Sequence, residues 1–200
     1  TDVSDLRLRE LSEAFAADAA ANGVELACLN PRAETYASQM AQHLGQFDDV
    51  VILAPVVGAI AEAVAAVAPQ GVVSVFAGFA RGTKFGLGLR DVCTRGVRVI
   101  GHSGSTIDDL REMIRLTETG ELSPNRSVAA VGSLSAARDG LQALKSAVYP
   151  GKVVIYPQIR DLPVTSLPEL AERLPSVYAL LRAGREWTVE AEAEFLRLML

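Results

Sequence analysis

Apolar residues recur along this chain in two alternating rhythms. Leu8, Leu11, Ala14, Phe15 and Ala19 fall at helical spacing, which predicts a helix over Leu6–Ala20. Ser4 or Asp5 is placed to cap its start, and Asn22-Gly23 to end it. Val24–Leu29 is a short apolar run stopped by Asn30-Pro31 and reads as a strand. A second helix is expected from Ala33 to Leu44, closed by Gly45. Asp49–Ala54 has almost no polar face, the signature of a central parallel strand covered by helices on both sides. Val57–Ala68 follows as an alanine-rich helix ending at Pro69-Gln70-Gly71. Val72–Phe76 and Val97–Ile100 are further apolar strands, and Asp108–Thr119 is a helix with Thr106 as its cap and Gly120 as its stop.

Strands separated by helices of about a dozen residues imply βαβ units and a parallel sheet. The expected class is therefore α/β, a Rossmann-like doubly wound sheet with helices on both faces. Ligands of such sheets sit at the carboxyl ends of the strands. Here those ends are Thr1-Asp2, Asn30, Ala54-Pro55, Ala77-Gly78 and Gly101-His102. After Gly120 the rhythm changes to a strand (Arg126–Gly132), a helix (Ser135–Ala147) and a strand (Lys152–Tyr156). A proline-rich tail then offers two helices, Pro168–Arg182 and Val189–Leu200. The organisation read from this is a Rossmann-like α/β domain over residues 1–125, a strand–helix–strand over 126–156 and a helical tail over 157–200.

Composition narrows the function classes. Half of the 200 residues are hydrophobic and 22% are charged, a core-forming balance that argues against disorder. A net charge of −5 gives no long-range attraction to nucleic acid. The most apolar stretch, Val50–Ala68, is broken by Pro55, Gly58 and Glu62, so no membrane span is expected. Two distant cysteines, Cys28 and Cys93, exclude a disulfide scaffold and suit a reduced, cytoplasmic setting. The polar, acidic opening Thr1–Leu11 does not read as a signal peptide.

Few residues offer chemistry. Asp2 lies where a strand end meets a helix start; a carboxylate only accepts hydrogen bonds, as two vicinal ribose hydroxyls require, though a plain helix cap has the same spacing. Phe76-Ala77-Gly78 would let a flat ring approach the backbone, or is simply a tight strand exit. Gly101-His102-Ser103-Gly104 offers N–H groups and a hydroxyl ahead of a helix, or is an ordinary loop and cap. His102 has no nucleophile or carboxylate pattern around it and reads as structural. The Gly-rich stretch after Gly78, with Arg81 and Lys84, is a weak phosphate-loop candidate. Cys93 and His102 have no partner pair at metal-site spacing.

Taken together, TDVSDLRL, FDDVVILAP, GVVSVFAG, GVRVIGHSG and GKVVIYP, in this order, resemble the coenzyme-binding half of medium-chain, zinc-type alcohol and polyol dehydrogenases. The sorbitol-dehydrogenase and sorbose-phosphate-reductase branch is the nearest likeness, and it runs from Thr1 to about Tyr156. The resemblance implies a role for each matching position. Asp2 would bind the adenosine ribose and favour NAD over NADP, with Arg7 beside it able to meet an extra phosphate. Ala54 and Pro55 would flank the adenosine, Phe76, Ala77 and Gly78 the nicotinamide, and Ser103 and Gly104 its carboxamide. Lys152 would face the pyrophosphate, and the strand near Val97–Gly101 would pair across a homodimer. The Gly-rich fingerprint, the zinc ligands and the proton relay of such enzymes precede TDVSD, so the chain reads as the later part of a longer enzyme, inactive alone, with zinc confined to a separate catalytic domain. The implied reaction is hydride transfer between a secondary alcohol of a polyol or sugar phosphate and the nicotinamide. Two other classes share the sheet: a non-catalytic nucleotide-sensing module, and a dimerising interaction protein that uses the tail to dock a partner.

Overall fold

The computed structural model describes residues 1–200. In chain order the elements are α1 (Asp5–Ala21), α2 (Tyr36–Ala41), β1 (Phe47–Ile52), α3 (Val57–Ala66), β2 (Val67–Val75), α4 (Leu89–Arg95), β3 (Arg98–Gly101) and α5 (Ile107–Glu118). They continue with β4 (Val128–Ser133), α6 (Ala137–Lys145), β5 (Lys152–Tyr156), β6 (Thr165–Ser166), α7 (Leu170–Arg173), α8 (Pro175–Tyr178) and α9 (Val189–Met199). The α/β class with parallel strand pairing is as expected. The chain forms two compact units, one of residues 29–110 and one of residues 1–28 with 111–200.

In the 29–110 unit β1, β2 and β3 form a parallel sheet with β2 at its centre. The strand predicted to be central is thus an edge. Ile52, Val73, Val67 and Val97 are buried with Ala63 and Val64 of α3 in one core. The opposite row runs Val51–Ser74–Ile100 across the paired strands, and Val51 and Ile100 are about half exposed (57% and 51%). One of the two helical layers that an all-apolar strand implies is therefore missing from this row. β2 starts at Val67 rather than Val72, because the chain turns out of the ladder at Pro69-Gln70 and returns at Val72 opposite Asp49. Gly71 is required there. A Cβ would lie 2.5 Å from the Val67 side chain and 2.7 Å from the Asp48 carbonyl oxygen.

Two predicted elements of this sequence region change. The second helix shrinks to α2, because the Asn30 side chain accepts from the Arg32 N–H (2.9 Å) and its carbonyl from the Ala33 N–H (3.0 Å), a turn that delays the helix to Tyr36. Val24–Leu29 is not a strand. No other segment pairs with it, Val24 instead returns its N–H to Ala19 at the end of α1, and Val24 and Leu26 are exposed.

The Tyr36 hydroxyl ties α2 to α3 by donating to Glu62 at 2.8 Å. Burial, then the bond to this carboxylate and its charge, push the phenol up to about 12. A folded value above the unfolded one means that the bond's contribution is present in full below about pH 10 and is lost as the pH rises through about 12. Tyrosinate absorbance is expected to show one phenol titrating near 12 in the wild type and missing in Tyr36→Phe. Titration of Tyr36 near its ordinary value would refute the contact.

In the other unit β4 lies between β5, its parallel partner, and β6, an antiparallel two-residue strand that the pattern did not reveal. β5 has the bounds read from the sequence. The apolar side chains of β4 and the end of β5 turn into a core: Val131 is fully enclosed and Val128 and Tyr156 nearly so. The tail covers them with Leu170, Val177, Trp187, Ala191 and Phe195. Tyr156, Trp187 and Phe195 meet edge-to-face or tilted, with centroids 5.0 Å apart for Tyr156–Phe195 and 5.7 Å for Trp187–Phe195. The buried Ser133 closes the end of β4 by donating its hydroxyl to the Leu162 carbonyl (2.7 Å) and accepting the Leu162 N–H (3.0 Å).

The single helix expected over Pro168–Arg182 is instead α7 and α8, broken at Leu174 (φ −140°, ψ 70°). Pro175 is the cause, since its ring excludes the helical conformation from the residue before it. Val189 begins α9 as expected, with Thr188 accepting the Ala191 N–H at 3.0 Å.

Candidate functional site

Three loops of the 29–110 unit leave the sheet side by side. Ile52, Val75 and Gly101 are register partners at the carboxyl ends of β1, β2 and β3. Ala54 and Pro55 follow the first, Phe76, Ala77 and Gly78 the second, and Ser103 and Gly104 the third, so all of these candidates gather at one sheet end. The Phe76 and Ala77 N–H groups both donate to the Ile52 carbonyl at 3.0 Å, which fixes how the second loop departs.

His102 belongs to this group, although its sequence surroundings suggested a structural residue. Its ring meets the exposed Phe76 edge-on, with centroids 5.4 Å apart. The signal lay in the register: His102 follows the last paired residue of β3 as Phe76 follows that of β2. Gly78 lies beyond this aromatic pair, exposed, and a Cβ there would meet no atom within 4 Å. The result is a small aromatic platform beside open backbone, able to hold a flat ring.

The third loop is held from its far side. Thr106 donates its N–H (2.7 Å) and hydroxyl (2.8 Å) to Asp109, and the Thr106 hydroxyl accepts the Asp109 N–H at 3.2 Å, a reciprocal cap at the start of α5. The two bonds from Thr106, with a smaller contribution from His102, hold the Asp109 carboxyl below the usual carboxylate range. Ser103 and Gly104 are exposed on the loop between.

In the other unit Asp2 precedes α1. Its Oδ1 accepts the Ser4 N–H at 2.8 Å and its Oδ2 pairs with Arg7 at 3.3 Å, while Ser4 caps the helix through the Arg7 N–H. A carboxylate has about four acceptor positions, so two occupied ones leave room for a pair of hydroxyls. Lys152 is exposed at the first residue of β5, opposite Val128. That is the amino end of the strand. No group of three or more histidine, cysteine, aspartate or glutamate side chains is gathered to hold a metal, and zinc does not fit the residues present. No helix is long and apolar enough to cross a membrane.

Parallel strands with crossover helices and a loop cluster at their carboxyl ends define a Rossmann-like fold, the fold of dehydrogenase coenzyme-binding domains. Comparison with known proteins agrees. The chain is 29% identical to the uncharacterized protein YggP of Escherichia coli and 30% identical to mannitol-1-phosphate 5-dehydrogenase of Aliivibrio fischeri. Each match covers 86% of this chain and 41% of the relative, so the chain spans about two fifths of the length of the curated relatives it matches. Among solved structures it resembles an NAD-dependent alcohol dehydrogenase (TM-score 0.50, 25% identity, 70% of this chain and 40% of the other). It shares the fold of 2R,3R-butanediol dehydrogenase from Bacillus subtilis (TM-score 0.55, 16% identity, 74% and 42%). No protein-family profile matches it.

Proposed function

We propose that the chain is the NAD(P)-binding portion of an oxidoreductase acting on a secondary alcohol of a polyol or sugar phosphate. The observation that carries this reading is the carboxyl end of the β1–β2–β3 sheet, where Phe76, Ala77, Gly78, Ser103 and Gly104 stand together on neighbouring loops. Phe76, with the His102 ring against its edge, would bear one face of the nicotinamide, and the bare backbone at Gly78 would let the ring lie close. Ser103 and the Gly104 backbone would hold the carboxamide, and Ala54 and Pro55 would flank the adenosine. Asp2 would accept the ribose hydroxyls and repel a 2′-phosphate, which favours NAD; Arg7 is the counterweight that would tolerate NADP. Lys152, exposed at the first residue of β5, would face the pyrophosphate.

When bound, the nicotinamide supplies the hydride chemistry; these residues bind and orient it and limit water at one face. The mannitol-1-phosphate 5-dehydrogenase relative supports a sugar-phosphate polyol as the substrate class. β3 is an edge strand with a free side, which supports the expected homodimer pairing.

Titration calorimetry with NAD and NADP tests the cofactor half of the proposal. NAD is expected to bind the more tightly. Asp2→Asn is expected to weaken NAD by about tenfold, the scale of one hydrogen bond to a charged group, and NADP by less. Equal NAD affinity in the variant would remove Asp2 from the site.

A further inference from the structure

Helix α1 carries the Asp2–Arg7 pair at its start, yet it is poorly anchored by apolar contact. Leu8 is its one buried residue, and Leu6 and Leu11 are exposed. Its hold on the rest of its unit is ionic and aromatic. Arg126 pairs with Asp18 at 2.6 Å, and its guanidinium lies 5.3 Å from the centre of the Phe15 ring. From the other side Arg126 reaches Glu186 at 3.5 Å. The Glu186 carboxylate is 12% exposed and also accepts the Ser123 hydroxyl (2.8 Å) and faces Arg182 (3.5 Å). One residue before it in the chain, Arg185 pairs with Glu13 of α1 at 2.9 Å. The turn at Arg182–Glu186, closed by reciprocal backbone bonds of 3.0 Å, adjoins the buried Trp187 of the tail core. A rigid segment of the tail thus grips α1 through Arg126 and Arg185.

We propose that Arg126 is a positioning residue for cofactor binding: with Glu186 and Arg185 it makes the C-terminal tail set the placement of α1, and thereby of the Asp2 carboxylate. The inference rests on the ribose-binding role proposed for Asp2. It gives the tail a second task besides covering β4 and β5. Loss of the Asp18 and Phe15 contacts leaves this 17-residue helix with Leu8 as its one buried anchor, so its turns open more readily and the Asp2 carboxylate ahead of it loses its fixed place without being touched. The grip is made of partly exposed charges, so it weakens as salt rises.

The test is a cycle of affinities. NADH binding is measured by calorimetry for the full chain, Arg126→Gln, Asp2→Asn and the double variant, with Trp187 emission confirming that the tail core is intact. Arg126→Gln is expected to raise the NADH dissociation constant about fivefold, the order of a partly exposed ion-pair network, and to change it by less than about twofold when Asp2 is already asparagine. Arg126→Lys, which keeps the Asp18 pair, is expected to recover most of the affinity. An unchanged constant in Arg126→Gln, or an equal loss in both Asp2 backgrounds, overturns the proposal. Hydrogen exchange at the Leu8 amide, bonded to the Ser4 carbonyl at 3.1 Å, reads the helix start independently of cofactor. Faster exchange in Arg126→Gln is expected, and unchanged exchange overturns the positioning role. Absence of NADH binding in the wild type would instead overturn the proposed function, with the exchange result still judging the grip.

Discussion

Replacing Phe195 by alanine is expected to remove about 3–5 kcal/mol from the stability of the unit that holds β4, β5 and the tail. Phe195 is fully buried and is the shared neighbour of Tyr156 and Trp187 in the aromatic cluster. The truncation forfeits the transfer energy of the ring and leaves a cavity that the flanking Tyr156 and Trp187 rings, themselves packed, cannot fill. Domains of this size are stable by only about 5–15 kcal/mol, so the loss is a large share of the total. The tail would loosen first, and with it the cover over Val128, Val131 and Tyr156, which are the residues whose exposure makes a strand prone to association. Urea unfolding followed by emission of Trp187, the chain's one tryptophan, measures it. A loss below about 1 kcal/mol would mean that the tail does not depend on this packing.

The second large effect concerns the proposed ring site. Gly78→Val is expected to leave the melting temperature almost unchanged, because a Cβ at this position meets no atom within 4 Å. The same branch would stand in the space proposed for the nicotinamide, beside Phe76 and His102. Overfilling a closely packed contact costs about 1–3 kcal/mol, so NADH affinity is expected to fall by one to two orders of magnitude. This variant separates the two readings that the sequence alone left open at Phe76-Ala77-Gly78. Unaltered affinity with unaltered stability would make Gly78 a simple strand exit. Loss of stability together with affinity would point to a local packing role.

Much of the fold was legible because local chemistry and long-range packing agree there. β5 appears with the bounds read from its apolar run, α1 is capped by Ser4, and α5 starts at the Thr106 cap. The misread segments are those whose conformation depends on a partner or a single residue outside the pattern. Val24–Leu29 has strand composition but no strand beside it, and an unpaired strand has nowhere to send its backbone hydrogen bonds. The Pro168–Arg182 pattern is helical in its apolar spacing, and one proline at position 175 divides it. β6 is too short to have a period. The burial of β4 and β5 was invisible because the aromatic part of their cover, Trp187 and Phe195, lies more than 30 residues after β5 and has no spacing that names its target. For the candidate site, strand register brought Ala54, Phe76 and Ser103 to one sheet end as the order of strands implied. His102 entered only through its contact with Phe76.

The central claim is that a nicotinamide dinucleotide seats on the carboxyl end of the β1–β2–β3 sheet. The most direct measurement is an NADH titration of the full chain followed by backbone amide shifts. Saturable shifts at Phe76, Ala77, Gly78, His102, Ser103 and Gly104 are the predicted result. A titration that leaves those amides still, or that moves only amides elsewhere, would contradict it.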